Sequence, residues 1–468
     1  MDFNLPSHIE SYRLRVKDFV DEHILPLESE PENFDEHESI VLPVLNGLRE
    51  RARKEGLWAL QISEARGGGG LPVIGMAACY EEMGRSLYGP VVFNSHAPDD
   101  GNMMLLEKVA TDAQKDRWLE PLVNGDAWSA FAMTEPAPGS GSDPGGMMQT
   151  RATKRGDQWE IRGRKWFISG AGVAQHFILV ARTSDDPRKG LTAFLFDRDQ
   201  PGWRLERRIP TMGPEEHGGH CELTFDGLTI DDENRLMEIG DGLKVTQIRL
   251  GTARLTHCMR WLGLAKRCLE IAQDYVGERE AFGKKLADNE GVQWMLGQAA
   301  MDIQVGRLLT MHAAWKLDQG DFARKEVSMA KVMVADTLHK AADTAIQLNG
   351  ARGYSKDTVL ERIYRYARAA RLVDGASEVH KMVMARNLAK ERSDFWSWGA
   401  PGAGGVRARR GQSDKLFGSA CRRFPRPDPH REIFPRTVQP YVSDRNAFWF
   451  FGSAPEAYRR AFEVCACD

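Results

Sequence analysis

Cysteine is sparse in this 468-residue chain: seven residues, an odd number, scattered as Cys79, Cys221, Cys258, Cys268, Cys421, Cys465 and Cys467. That usage argues against a disulfide framework, and without a paired Cys-x-x-Cys there is no signature of structural zinc. Long apolar runs are also missing; none approaches the ~20 residues of a membrane-spanning helix. Nor is there an excess of one charge: 63 Lys+Arg stand against 66 Asp+Glu, a formal net charge of -3. Proteins that bind polyanions carry a basic excess to displace counterions from phosphates, so nucleic acid is not the expected partner. Residues 1–6 have neither the basic start nor the apolar core of a secretory signal, which makes the cytoplasm the expected location.

What is present is a change of period along the chain. From Ser7 to about Gly125, apolar residues recur at three- and four-residue steps, as in Tyr12, Val16, Phe19, Val20 and Ile24. The run Gly67-Gly68-Gly69-Gly70 interrupts this; with no Gly-Lys-Ser/Thr after it, it reads as an inter-helix loop, not a phosphate cradle. From about residue 127 to 240 the period drops to two, in short β-rich runs such as Phe177-Ile178-Leu179-Val180, separated by Gly, Pro and Asp. Helices return after Asp241, with Leu255, Met259, Leu262, Ala265, Leu269 and Ala272 on one stripe and similar stripes over residues 292–317, 327–348 and 359–372. Four such segments predict an antiparallel bundle. Residues 393–468 differ again: eleven arginines against one lysine, seven of the 22 prolines, and no sustained period. They read as a disordered tail.

An α, then β, then α order without a βαβ unit argues against a doubly wound nucleotide-binding sheet. Two segments nevertheless have the chemistry to hold a flat, polar-edged ligand. The stretch from Phe131 through Met133-Thr134-Glu135-Pro136 to Ser142-Asp143 offers hydroxyls and, at its glycines, approachable backbone amides. In Lys165-Trp166-Phe167-Ile168-Ser169-Gly170, a strand would put Phe167 and Ser169 on one face. A domain-entry loop and a core strand account for the same residues. His217-Gly218-Gly219-His220 has metal-like spacing, but no third ligand completes it, and a turn is the expected reading.

Those two segments, with Arg279-Glu280-Ala281-Phe282-Gly283-Lys284, Gln347-Leu348-Asn349-Gly350-Ala351-Arg352 and Asp374-Gly375-Ala376-Ser377-Glu378, resemble the acyl-CoA dehydrogenase family in order and spacing over about residues 7–391. The resemblance implies an α+β multi-domain chain: an N-terminal helical domain (1–126), a middle β-barrel domain (127–240) and a C-terminal four-helix bundle (241–392). It implies FAD as cofactor, acyl-CoA as substrate, an electron-transferring flavoprotein as acceptor and a homodimer or homotetramer. Carried over position by position, Phe131, Met133, Thr134, Ser142, Phe167 and Ser169 would face the flavin. Arg279, Phe282, Gln347 and Gly350 would touch a neighbouring subunit's cofactor, and Ala376 and Glu378 would occupy the adenosine-side positions after the base. Ser142, Arg254 and Gly375 would hold substrate, and Asp374 would be the base.

Asp374 stands where the family has glutamate, and this resembles the smaller aspartate-base subgroup that includes acyl-CoA dehydrogenase family member eleven. His257-Cys258-Met259-Arg260 supports that likeness. An aspartate base also resembles nitroalkane oxidase, a flavoprotein of the same fold, and a non-catalytic, nucleic-acid-associated relative is the alternative from another class. From the residues alone, Asp374 reads first as a cap of the helix that starts near Ser377.

Overall fold

The computed structural model describes residues 4–141 and 143–397. The first part is helical, with α1 (Ser7–Phe19), α2 (Leu42–Lys54), α3 (Val73–Met83) and α4 (Asp99–Val109) as its longer elements. Proline in the first turn of α2 and Arg51, Arg53 and Lys54 in its last match the helix ends they occupy. The glycine run between α2 and α3 closes as a loop: the Gly70 amide donates to the Ile62 carbonyl at 2.8 Å and Leu71 to Leu60 at 2.9 Å.

The middle of the chain forms one sheet from β1 (Ser129–Ala132), β2 (Arg151–Arg155), β3 (Gln158–Ser169), β4 (His176–Arg182), β5 (Leu191–Asp197), β6 (Trp203–Arg208), β7 (His220–Asp231) and β8 (Arg235–Leu236). Its order is β6-β7-β3-β2-β4-β5-β8, with β1 added parallel to β4. The sheet rolls on itself: Trp203 of β6 meets Phe177 of β4 at 5.0 Å and Phe196 of β5 at 5.5 Å, although β6 lies far from both in strand order. The enclosed core holds Trp159, Phe177, Phe194, Phe196 and Phe225. Barrel-like curvature of this kind follows from strand twist, and β4 and β5 bury their other face, with Ile178, Val180, Leu191 and Leu195, in a second core shared with Leu105, Trp118 and Leu122.

The remaining described chain is α5 (Gly242–Glu278), α6 (Glu290–Asp318), α7 (Arg324–Asn349), α8 (Leu360–Ala369) and α9 (Ser377–Glu391). Five of the six stripe residues expected in α5 are buried, and Leu269 is partly buried. Two glycines set how closely α5 meets the N-terminal helices. A Cβ on Gly84 would lie 2.2 Å from the Arg260 carbonyl oxygen, and one on Gly263 2.1 Å from that of Glu81. Only hydrogen fits at either point, and the resulting contact presses the Arg260 turn of α5 against the layer that carries Asp100.

The expected boundary after Arg392 is corrected. Residues 392–396 form a last turn in which Phe395 is buried, its ring 4.8 Å from Lys325 Nζ and its carbonyl accepting from the same nitrogen at 2.6 Å. An aromatic ring with an apolar site and a cation to cover docks without any helical period around it. The rest of the expected tail, residues 398–468, lies outside the described residues. Among the described residues no helix is long and apolar enough to cross a membrane.

Candidate active site

Asp374 sits in the break between α8 and α9, and its backbone is left-handed, φ 51°, followed by Gly375 at φ 96°. Left-handed geometry is costly for a residue with a Cβ and persists only where the surroundings enforce it. Here two donors fix the peptide: Arg254 Nε reaches the Asp374 carbonyl at 2.8 Å, and His380 Nε2 lies 3.3 Å from it. His380 is held on its other side by Ser328 Oγ, 3.0 Å from Nδ1. Capping is excluded, because the residue at the N-cap of α9 is Ala376, with no side-chain cap.

The Asp374 carboxyl is largely buried, and among the described residues Oδ2 has no full hydrogen bond, though His257 Nε2 approaches it at 3.3 Å. Burial works to raise its pKa, but the His257 contact and the charges of Arg249 and Arg254 outweigh burial and hold it well below the usual carboxylate range. The group is therefore an ionised, under-coordinated carboxylate at neutral pH. Such groups are rare in protein interiors and cluster at functional sites. Lys331 adds to the positive surroundings: it is fully buried, its Nζ has no hydrogen-bond partner among the described residues, and burial lowers its pKa despite Cys258 and Asp374 nearby.

His380 carries a pH prediction. Burial, with Arg254 and Lys331 close by, lowers its pKa to about 4. Between that value and the unfolded ~6.5, the unfolded chain binds a proton that the folded one refuses, so stability is intact above ~6.5 and falls as pH drops toward 4. The full contribution is up to about 3 kcal/mol. Urea midpoints at pH 7 and pH 4.5 should differ less in His380→Gln than in the wild type; an equal difference would contradict the assignment.

On the sheet, Phe131, Met133 and Thr134 follow one another at the end of β1, with the Phe131 ring 5.2 Å from the Arg249 guanidinium of α5. The Trp166 amide donates to the Thr134 carbonyl at 3.0 Å, which ties this loop to the end of β3. There the register with β7 shifts between Lys165 and Ile168, a bulge that turns Phe167 to φ 50° and leaves its ring 45% exposed. Ser169 Oγ is 2.9 Å from His220 Nδ1. The other histidine of the pair, His217, bonds the Ile40 carbonyl at 2.8 Å instead, and no metal-binding cluster exists among the described residues.

Beneath the loop lies an ion pair that sequence reasoning missed. Glu135 accepts from Lys165 Nζ at 2.9 Å and from the amides of Gln149 at 2.6 Å and Thr150 at 2.9 Å, and Lys165 also reaches the Met133 carbonyl at 2.8 Å. Both side chains are almost fully buried. One carboxylate thus closes the 135–150 loop from inside. Ser142 lies outside the described residues.

The second group of expected residues is elsewhere. Arg279 ends α5, and Phe282-Gly283, both left-handed, form the tip of a hairpin between Glu280–Ala281 and Lys284–Lys285, with the Phe282 ring fully in solvent. Gln347 and Gly350 are exposed at the end of α7, and the neighbouring Arg352 lies over Tyr275 of α5. Arg279 is 25 residues beyond Arg254 on one helix, about 38 Å at 1.5 Å per residue. Glu378 is exposed on the first turn of α9, 3.7 Å from Arg371.

The chain matches three family models in succession: acyl-CoA dehydrogenase N-terminal domain over residues 7–126, middle domain over 130–228 and C-terminal domain over 240–389. The chain belongs to the acyl-CoA dehydrogenase family. It is 36% identical over 407 residues to FadE2 of Mycobacterium tuberculosis, covering 84% of this chain and 99% of that one. It is 37% identical over 387 residues to acyl-CoA dehydrogenase family member 11 of Rattus norvegicus, covering 80% of this chain but only 49% of that longer protein. The chain spans about half the length of that relative. Butyryl-CoA dehydrogenase from Megasphaera elsdenii shares the fold with a TM-score of 0.73 at 28% identity, over 83% of this chain and all of that one.

As an acyl-CoA dehydrogenase the protein is an FAD-dependent oxidoreductase. The site fits that cofactor: a half-exposed aromatic ring held at a strained φ beside a hydroxyl at Ser169, and in the adjoining loop a buried Ser140 hydroxyl with no partner among the described residues. The groups missed from sequence alone are Glu135, Arg249, Lys331, and the roles of His257 and His380. A usable signal existed for one set: Arg254, His257 and Arg260 stand three residues apart within Leu250–Ala265, a stretch of α5 with no other charged side chain.

Proposed function

We propose that the protein oxidises an acyl-CoA thioester between Cα and Cβ, with Asp374 as the base that takes the α-proton. The observation that carries this is the Asp374 carboxylate itself: largely buried, ionised, approached among the described residues only loosely at Oδ2, by His257 at 3.3 Å, and not used as a helix cap. FAD, held by Phe131, Met133, Thr134, Phe167 and Ser169 with Ser142, supplies the acceptor for the β-hydride. Arg254 and Gly375 adjoin the base and form the substrate side. Aspartate reaches ~1.5 Å less far than glutamate, a misplacement that can cost ~100-fold in rate. The left-handed backbone at 374–375, clamped by Arg254 and His380, is the local feature that offsets the shorter side chain.

Arg279, Phe282, Gln347 and Gly350 belong to the cofactor contacts of a second subunit in this reading, and Ala376 and Glu378 are the adenosine-side positions after the base. The ~38 Å along α5 between Arg254 and Arg279 separates Arg279 from its own chain's base. A partner surface is at hand on α6, where Trp294, Met301, Val305, Leu308 and Trp315 are exposed at three-, four- and seven-residue steps. An electron-transferring flavoprotein is the proposed acceptor, and the domain divisions at 126 and 240 are part of the same proposal.

Anaerobic titration with a panel of acyl-CoAs and nitroalkanes tests the reading. The flavin should bleach with at least one acyl-CoA and recover on adding an electron-transferring flavoprotein. Bleaching by nitroethane and by no acyl-CoA would transfer the assignment to a nitroalkane oxidase.

A further inference from the structure

His257, Arg260 and Asp100 form a connected line that ends at Asp374. Arg260 Nη1 donates to Asp100 Oδ2 at 2.6 Å and to the Ser95 carbonyl at 2.9 Å, and its Nη2 lies 3.3 Å from His257 Nδ1. Asp100 and Arg260 are buried, and the close approach of Gly84 to the Arg260 carbonyl leaves that turn little freedom. Arginine has donors only and keeps its charge, so the contact with the imidazole has one sense: Arg260 donates and Nδ1 accepts. The ring's one proton is then on Nε2, the atom that faces Asp374 Oδ2 at 3.3 Å. Stacking on Trp261, with centroids 5.1 Å apart and planes at 23°, fixes the ring's orientation.

We propose that His257 is a positioning residue for the reaction: locked by Arg260 with its proton on Nε2, it engages Asp374 Oδ2 and leaves Oδ1 to take the substrate's α-proton. The proposal rests on Asp374 being the base. It assigns a function to the His257-Cys258-Met259-Arg260 segment, in which the i and i+3 side chains share one face of α5 and neither points at solvent. A neutral N–H donor also has an advantage over a cation at this point. It orients the carboxylate without forming a salt bridge that the substrate would have to break.

The test is the pH dependence of anaerobic flavin reduction by substrate, measured with flavin content, in wild type, His257→Phe, His257→Gln, His257→Asn and Asp374→Asn. The charged and titratable groups that face the pair are Arg249, Arg254 and Arg260 of α5, Lys331 of α7, His380 of α9 and Asp100 of α4. They are unchanged across the His257 series. Phenylalanine keeps the ring on Trp261 but removes the donor, so the buried carboxyl should titrate upward. The rate should then fall at least tenfold between pH 8 and pH 5.5, where the wild type stays level. Glutamine carries an amide N–H about as far as Nε2 and should restore the level profile, whereas asparagine reaches only as far as Nδ1 and should not. If the Phe variant fails to hold flavin, the Gln and Asn pair decides: different profiles support the proposal and identical ones overturn it. A flavin-loaded Phe variant with the wild-type profile also overturns it. Unchanged reduction in Asp374→Asn would instead remove the base reading beneath it.

Discussion

Replacing Asp374 by asparagine should leave flavin bound and slow its reduction by acyl-CoA at least the ~10²–10⁴-fold typical of a lost general base. The substitution keeps size and removes the basic lone-pair charge. The left-handed backbone stays accessible, since asparagine tolerates it as well as aspartate. The clamp from Arg254 and His380 acts on the backbone carbonyl and survives. Stopped-flow reduction without acceptor isolates the step, and an unchanged rate would remove Asp374 from the chemistry. Asp374→Glu should also lose activity: the longer acid restores the family's usual reach in a site whose His257 contact and backbone are set for the shorter one, and it must adopt φ 51° with less local support.

Glu135→Gln should be the most destabilising single change in the sheet region. It leaves the Lys165 ammonium fully buried without its counter-charge, which typically costs about 3–5 kcal/mol. Burial already pushes the Lys165 pKa down to about 8 even with Glu135 beside it. Burial acts to raise the Glu135 pKa, yet Lys165 and the Gln149 amide keep it below the ordinary range, so the pair is ionised at neutral pH. The same carboxylate anchors the loop next to Phe167, so flavin content should fall with stability. Pairing Glu135→Gln with Lys165→Met removes the stranded charge, and the double variant should recover much of the urea midpoint that the single one loses. Equal losses in the two would show that the loop amides, not the ammonium, dominate.

The helical stripe from Leu255 to Ala272, the short β-rich runs and the joint at Asp374 were legible because each is a local pattern, but the expected period of two fails in β4 and β5, which are buried on both faces. The five family motifs added which residues belong to one site. The bulge at Trp166-Phe167 was not legible. Two residues opposing one on β7 is a property of the pairing, and a single strand cannot display it. The line from Asp100 through Arg260 and His257 to Asp374 joins residues up to 274 positions apart, so its members looked unconnected in the sequence. Phe395 was assigned to the tail because no period surrounds it, although one ring and one backbone carbonyl suffice to dock it on Lys325.

Deuterium placed in turn at Cα and at Cβ of an acyl-CoA that bleaches the flavin tests the central claim most directly. With Asp374 removing the α-proton as hydride leaves Cβ, anaerobic reduction should be slower with either label in the wild type, and neither label should wash out into solvent without Asp374. Reduction of both labelled substrates at the rate of the unlabelled one, under conditions where substrate binding is not limiting, would contradict the account.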